Sequence, residues 1–160
     1  MAKRVLMAIT PPMTGDLRGA ARSAAAIARR SGGTARMVTV RPIPPPRVDH
    51  HDRVIADEDR EMARLADAAE ERMAALRWEF GEVEVQRVVR FGRLGAELAI
   101  EAAAWDADLI GLAAPTRPGL RHQIRAWYLG LTIPVPVVLL PVSRDADGRS
   151  GESVVLPAFR

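Results

Sequence analysis

Three histidines and a row of arginines are the side chains in this 160-residue chain whose type and spacing could support chemistry. His50 and His51 stand between Asp49 and Asp52. Imidazole nitrogens and carboxylates are ligands for divalent cations, but immediate neighbours in sequence rarely all point at one ion. We therefore interpret these four residues as a polar loop tip and predict no metal site.

The arginines Arg117, Arg121 and Arg125 are spaced four residues apart near the start of a helical pattern, with His122 beside them. A helix N-terminus favours anions, so this row could hold a phosphate group electrostatically. The simpler interpretation is a set of solvated arginines on a helix surface. Both interpretations stay open at this point.

No nucleophile paired with a base is evident in the sequence. The chain has no cysteine, and its histidines lie in a proline-bounded segment or on a predicted helix. The run Ser31-Gly32-Gly33-Thr34 resembles a phosphate loop superficially, but it follows the first predicted helix, where glycine ends a helix. We predict that the protein is not an enzyme.

Composition narrows the class of protein further. The net charge is +3 and the pI about 10.4, but charges of both signs alternate along predicted helices, and aromatic residues are only 4%. This pattern argues against nucleic-acid binding. No apolar stretch approaches the ~18 residues of a membrane span, and the first ten residues are not typical of a signal peptide. We expect a soluble, cytoplasmic protein without membrane contact.

Five short strand patterns alternate with four helical patterns along the chain. The predicted strands are Arg4–Thr10, Ala35–Val40, Val83–Val89, Leu109–Ala114 and Val135–Leu140, and the predicted helices are Asp16–Arg30, Val54–Phe80, Leu94–Trp105 and Leu120–Leu131. Such alternation predicts an α/β fold, with a doubly wound parallel sheet and helices on both faces. Ligands of these folds bind beyond the carboxyl ends of the strands, so we look for function first in the loop Ala113–Gly119.

Two features interrupt this regular pattern. The run Pro42 to Pro46 cannot continue a sheet, so we predict a stiff, extended excursion that could bind a partner or embrace a second subunit. The three tryptophans, Trp78, Trp105 and Trp127, are interpreted as core or interface residues.

Several runs of the sequence resemble the universal stress proteins. Val83-Glu84-Val85, Gly92, Ala96 to Ala103 and Asp106 to Leu112 look like the third strand, third helix and fourth strand of that family, and Ile133 to Pro141 looks like its closing strand. The likeness extends from Arg4 to about Pro141. It implies one family-like domain over residues 1–141, followed by a tail over 142–160 that we expect to be partly flexible.

The resemblance implies a strand order of 3-2-1-4-5 and a homodimer paired through the fifth strand at the sheet edge. The edge residues would be Val137, Val138, Leu139 and Leu140. An apolar edge left unpaired would be an aggregation hazard, which agrees with that expectation.

Many members of the family bind ATP, using an Asp at the end of the first strand and a loop of the form G-x-x-G-x(9)-G-[ST] after the fourth. This sequence departs from that pattern at almost every place. Thr10 stands for the Asp, Ala113 and Thr116 stand for the two loop glycines, Ala126 and Trp127 stand for the final pair, and only Gly119 within the loop is a glycine.

The departures predict a degenerate nucleotide cleft, bounded also by Val40. We expect the indole of Trp127 either to fill the cleft or to pack into the core, so that tight ATP binding is lost. The hypothesis is a non-catalytic regulatory protein of the stress response, a homodimeric scaffold for an unknown protein partner that needs no cofactor. The alternative is ATP or AMP binding at an altered phosphate site formed by Arg117, Arg121 and Arg125.

Overall fold

The computed structural model describes residues 2–11, 15–51, 53–115 and 119–142. The described elements are the strands β1 Arg4–Ile9, β2 Thr34–Arg41, β3 Arg47–Val48, β4 Val54–Ala56, β5 Val85–Phe91, β6 Leu109–Pro115 and β7 Val137–Val142, and the helices α1 Arg18–Arg30, α2 Glu58–Leu76, α3 Leu94–Ala104 and α4 Leu120–Thr132. A short 3-10 helix, Arg77–Phe80, follows α2.

The main sheet has five strands in the order β5-β2-β1-β6-β7. All four pairings are parallel. When only the strands of this sheet are counted, the order is 3-2-1-4-5, so the structure confirms the expected doubly wound topology. From β1 the chain continues to β2 and β5 on one side of β1, and after β5 it crosses to β6 and β7 on the other side. Ligand crevices in such folds form at the point where the strand order reverses, which here is the junction between β1 and β6.

The central strands are apolar on both faces because helices cover both sides of the sheet. Along β1, Val5 and Met7 face a core formed with α1 and α2, while Leu6 and Ala8 face a second core formed with α3 and α4. Each of these four side chains is completely buried. The near-continuous hydrophobic runs in the sequence follow from this two-sided burial.

Helix α1 lies close to the sheet because its buried face consists of small side chains. Five alanines of α1 are buried, namely Ala20, Ala21, Ala24, Ala25 and Ala28. The helix ends before Gly32, whose φ of 59° lies in the left-handed region that glycine adopts without a Cβ penalty. The interpretation of this glycine as a helix stop is confirmed.

The predicted long helix Val54–Phe80 is wrong at both of its ends. Val54–Ala56 forms β4, which pairs in antiparallel fashion with β3, and α2 begins after Asp57. Asp57 caps the helix, since its carboxylate accepts a hydrogen bond from the Arg60 amide at 2.9 Å. The prolines from Pro42 to Pro46 precede this hairpin and belong to no helix or strand. Residues 143–160, which include most of the predicted tail, lie outside the described part of the chain.

Candidate functional site

The crevice at the carboxyl ends of β1 and β6 is lined by small, uncharged side chains. The last paired residues of β1 and β6 are Ala8 and Leu112. Thr10 and Ala114 each lie two residues beyond this pair and are therefore at the same height along the sheet. Thr10, Ala113 and Ala114 are all buried. No carboxylate therefore stands at the end of β1, where the family pattern would place one.

The neighbouring strand β2 brings apolar and hydroxyl groups to the level of Thr10 and ends one residue further on, in the half-buried Arg41. Val40 is buried in the core on the α3 and α4 side of the sheet, and Thr39 is buried beside it. Thr10 and Thr39 are the two buried hydroxyls among the described residues of this edge. The crevice offers a nucleotide no charged side chain from β1 or β2 at this level.

Ala113 does not lie in a loop. Strand β6 continues to Pro115, and the methyl group of Ala113 packs in the core on the α1 and α2 side of the sheet. The first three residues of the predicted loop Ala113–Gly119 therefore belong to β6. Thr116 and Arg117, two of the predicted site residues, lie outside the described residues.

Helix α4 begins directly after Gly119, at the carboxyl edge of the sheet. Gly119 is the N-cap residue, and a Cβ added to it would meet no atom within 4 Å. The first turn contains no acidic residue, and the side chains of Arg121 and Arg125 are exposed. An open helix N-terminus with arginines nearby favours anions, so this end of α4 is the part of the predicted site that the structure brings to the crevice.

The expected closure of the cleft by Trp127 is wrong. Ala126 is buried against the sheet, and Trp127, the next residue, points away with 60% of its surface exposed. The indole therefore neither fills the crevice nor packs into the core. Since successive helical residues are turned by about 100°, burying Ala126 directs its neighbour outward.

Of the other two tryptophans, Trp105 packs partly buried against the core on the α3 and α4 side, whereas Trp78 does not occupy a core position. Trp78 is 86% exposed on the 3-10 helix. Trp105 is half-buried at the end of α3, where the guanidinium of Arg36 lies 4.7 Å from the ring centroid. This is a favourable cation–π distance. Whether Trp78 or Trp127 contacts another chain stays a prediction.

A charged network under α3 was not anticipated from the sequence. Glu101 of α3 is almost fully buried, and its carboxylate accepts hydrogen bonds from Arg36 of β2 and from Arg90 of β5, the latter at 2.9 Å. Arg90 also donates to Glu97 at 2.7 Å, and this hydrogen bond raises the pKa of the arginine. The signal in the sequence was the pair Glu97 and Glu101 at helical spacing four.

This network holds α3 on the sheet and takes no part in the crevice. Arg36 and Arg90 belong to the two strands on the far side of β1 from β6. Every charge in the network has a partner of opposite sign within hydrogen-bond distance. Paired charges in a half-buried position are typical of a structural contact rather than of a group poised for acid–base chemistry.

The histidine pair lies at the tip of the β3–β4 hairpin. His50 and His51 stack with ring centroids 3.9 Å apart, and Asp49 accepts hydrogen bonds from the amides of His51 and Arg53. These bonds, that from Arg53 foremost, lower the pKa of Asp49. The carboxylate therefore organises the turn, in agreement with a polar loop tip; Asp52 lies outside the described residues. Within the described part of the chain, no group of three or more potential ligands could hold a metal ion.

The fold defines a doubly wound α/β protein with a crevice at the carboxyl ends of β1 and β6. The model of the universal stress protein family matches residues 1–141. The chain therefore belongs to the universal stress protein family. Among curated protein sequences, no significant match was found.

Solved structures of the same fold cover almost the whole of the matched region. A universal stress protein from Archaeoglobus fulgidus is 16% identical, with 88% of this chain and 99% of that chain covered and a TM-score of 0.60. The structure from the same organism in complex with dAMP is also 16% identical, with coverages of 86% and 96% and a TM-score of 0.56. A family protein from Arabidopsis thaliana with AMP bound is 14% identical, with coverages of 90% and 93% and a TM-score of 0.53.

These likenesses agree with the topology derived above. At such identities they concern the fold alone. None of the helices in the described residues has both the length and the apolar character needed to cross a bilayer.

Proposed function

We propose that this member of the universal stress protein family is a non-catalytic protein that acts by protein contact as a homodimer, without tight ATP binding. The observation that carries the proposal is the buried Thr10 at the end of β1. An Asp at that place would accept hydrogen bonds from a nucleoside as an anion, which a hydroxyl replaces only in part. Ala113 and Ala126, which stand for family glycines, are buried in the two cores.

The physical reason for the lost affinity is missing contacts rather than a blocked cavity. A hydrogen bond to a charged group contributes ~1.5 to 3 kcal/mol. A micromolar dissociation constant corresponds to about 8 kcal/mol of binding free energy, and a millimolar one to about 4 kcal/mol. Losing two such contacts therefore moves the dissociation constant from micromolar to roughly millimolar. The outward position of Trp127 makes a steric explanation unnecessary.

The open edge of β7 supports the homodimer. Within the described residues, β7 pairs with β6 on one side and with no strand on the other. The Ile110 amide donates to the carbonyl oxygen of Pro136, so by the alternation of a parallel ladder Val137 and Leu139 direct their backbone groups away from β6. The side chains of β7 are already covered by helices, so the unpaired backbone is what a second copy would satisfy.

A second candidate function, adenine nucleotide binding at an altered site, is favoured by the start of α4. The structures with dAMP and with AMP show that other proteins of this fold hold adenine nucleotides. In this chain the open N-cap at Gly119 and the exposed Arg121 could receive a phosphate in place of a glycine-rich loop.

Native mass spectrometry of the gently purified chain separates the two candidates. We expect a homodimer mass without bound nucleotide. If the parent chain retains one AMP or ATP per subunit and the variant Arg121→Ala/Arg125→Ala retains none, the result would contradict the first candidate and support the second. Arg29→Ala/Arg30→Ala, which removes the same charge from exposed positions on α1, is the matched control and should leave the spectrum unchanged.

A further inference from the structure

Helix α4 carries a second apolar face, directed away from the sheet. We call it the outward face. Its side chains are large, hydrophobic and more than half exposed: Leu120 72%, Ile124 53%, Trp127 60%, Tyr128 55% and Leu131 60%. They recur at the spacing of an amphipathic helix stripe.

The outward face lies opposite the face that anchors α4. Among the α4 side chains that the structure describes, those of Ala126 and Leu129 are buried, and the buried Ile133 follows directly after the helix. At about 100° per residue, the outward residues fall within an arc of roughly 100° whose centre is about half a turn from Ala126 and Leu129. A helix apolar on two opposite faces has two partners, and the sheet is only one of them.

We propose that residues Val154–Phe159 of the same chain occupy the outward face of α4. This segment, V-V-L-P-A-F, is apolar throughout and lies outside the described residues. Proline restricts φ, so this segment has less conformational entropy to lose when its large side chains pack on a helix surface. The ligand of the outward face is thus an apolar peptide supplied by the chain itself.

The path of the chain brings this segment to α4. Val142, the last residue of β7, pairs with Pro115, and α4 starts five residues after Pro115. The chain therefore leaves the sheet at the same edge at which α4 begins. The eleven residues 143–153 span up to ~36 Å when extended, whereas the 13 residues of α4 are only ~20 Å long. Every point of the outward face is within reach.

Charge also favours this occupant. Helix α4 carries Arg121 and Arg125 and no acidic residue. The connecting residues 143–153 contain more acids than bases, namely Asp145, Asp147 and Glu152 against Arg144 and Arg149. Opposite charge therefore favours a connection that runs past the arginines and the positive N-terminal end of α4.

A second copy fits the outward face less well. Two α4 helices packed face to face would bring arginines together without a single acidic partner on either helix. Pairing of two β7 edges extends the sheet in its own plane, whereas the outward face is directed away from that plane. The homodimer proposed above therefore leaves this face uncovered, and the inference does not depend on it.

A fluorescence quenching experiment on the full chain tests the proposal. The chain has no cysteine, so Ser153→Cys gives one labelling site for a bimane fluorophore, which a tryptophan quenches only at contact distance. A connection of this length gives an effective concentration on the order of 1 mM, so the docked segment should lower the bimane intensity by about half or more. Trp127→Phe should abolish the quenching, while Trp78→Phe, which removes another exposed tryptophan, should preserve it.

Concentration dependence identifies the source of the segment. Quenching that is unchanged on dilution, and unchanged when unlabelled chain is added in excess, supports docking within one chain. Quenching that falls on dilution or on mixing would mean that a second copy supplies the segment, and it would overturn the proposal. Bimane intensity equal in the parent and Trp127→Phe proteins would overturn it as well. Circular dichroism of each variant verifies that the fold is intact.

Discussion

Glu101 shows how a single residue ties α3 to two strands. Its carboxylate is 4% exposed and pairs with Arg36 and Arg90, whose side chains are 18% and 28% exposed. Removing one partner from a buried ion pair is costly because the remaining charges stay desolvated without compensation. The residue is therefore more important for the fold than its position on a helix surface pattern suggests.

We expect Glu101→Ala to lower the free energy of unfolding by about 3 kcal/mol. Urea denaturation followed by circular dichroism measures this change. Glu70→Ala is the matched control. Glu70 of α2 pairs at 3.1 Å with Arg87 of β5, the strand that also carries Arg90, and both side chains of this pair are more than a third exposed. The control should lose less than ~1 kcal/mol. Equal losses in both variants would refute the assigned role of Glu101.

Thr10 is the residue on which the proposed function depends most. The family pattern assigned it the place of the Asp at the end of β1, and in the structure it directly follows β1 and is buried. Trp127 shows the limit of the same reasoning. An aligned position says which residue replaces another, but the direction of a helical side chain depends on which face of the helix packs on the sheet.

At the level of elements, the five strands of the main sheet and four helices were predictable because each has a strong hydrophobic pattern. Helix α4 was predicted as an element, but its orientation was not. Its sequence has two apolar faces, and the smaller residues of the Ala126 and Leu129 face pack on the sheet while the large aromatic ones do not. Periodicity alone cannot rank two apolar faces.

The start of α2 illustrates a second limit. Val54–Ala56 joins a hairpin with β3, and this pairing between short segments overrides the helical spacing in the sequence. The network of Arg36, Glu101 and Arg90 was missed because Arg36 and Glu101 are 65 residues apart in the sequence, and no local pattern connects them.

The junction between α1 and β2 depends on a close approach at Gly33. A Cβ at this position would lie 1.9 Å from the carbonyl oxygen of Lys3, and the following Thr34 amide donates to that same oxygen at 2.7 Å. Gly33→Ala must therefore displace the backbone leading into β1. We expect the free energy of unfolding to fall by about 3 kcal/mol.

Gly130 provides the contrasting substitution. It lies within α4 with nothing within 4 Å of a Cβ. Gly130→Ala should raise the free energy of unfolding by ~0.5 to 1 kcal/mol, because alanine loses less backbone entropy in a helix. Thermal or urea denaturation of the two variants side by side checks both signs. A Gly33→Ala variant with an unchanged free energy of unfolding would contradict the close approach between Gly33 and Lys3.

At the scale of the whole molecule, the free edge of β7 should decide the oligomeric state. Val137→Pro removes an outward amide donor and leaves the hydrogen bonds to β6 in place. We expect the dissociation constant of the homodimer to rise about tenfold. Sedimentation equilibrium measures it, and circular dichroism verifies the monomer fold. A chain that is monomeric before substitution, or a dimer that is unaffected by it, would rule out pairing through this edge.

The most direct test of the central claim is a calorimetric titration of ATP into the purified chain. With no carboxylate at Thr10 and the family glycines replaced by buried alanines, we predict no saturable heat at nucleotide concentrations below roughly 1 mM. Stoichiometric binding with a dissociation constant of about 1 μM would show that the family's nucleotide site survives these replacements, and it would contradict the account.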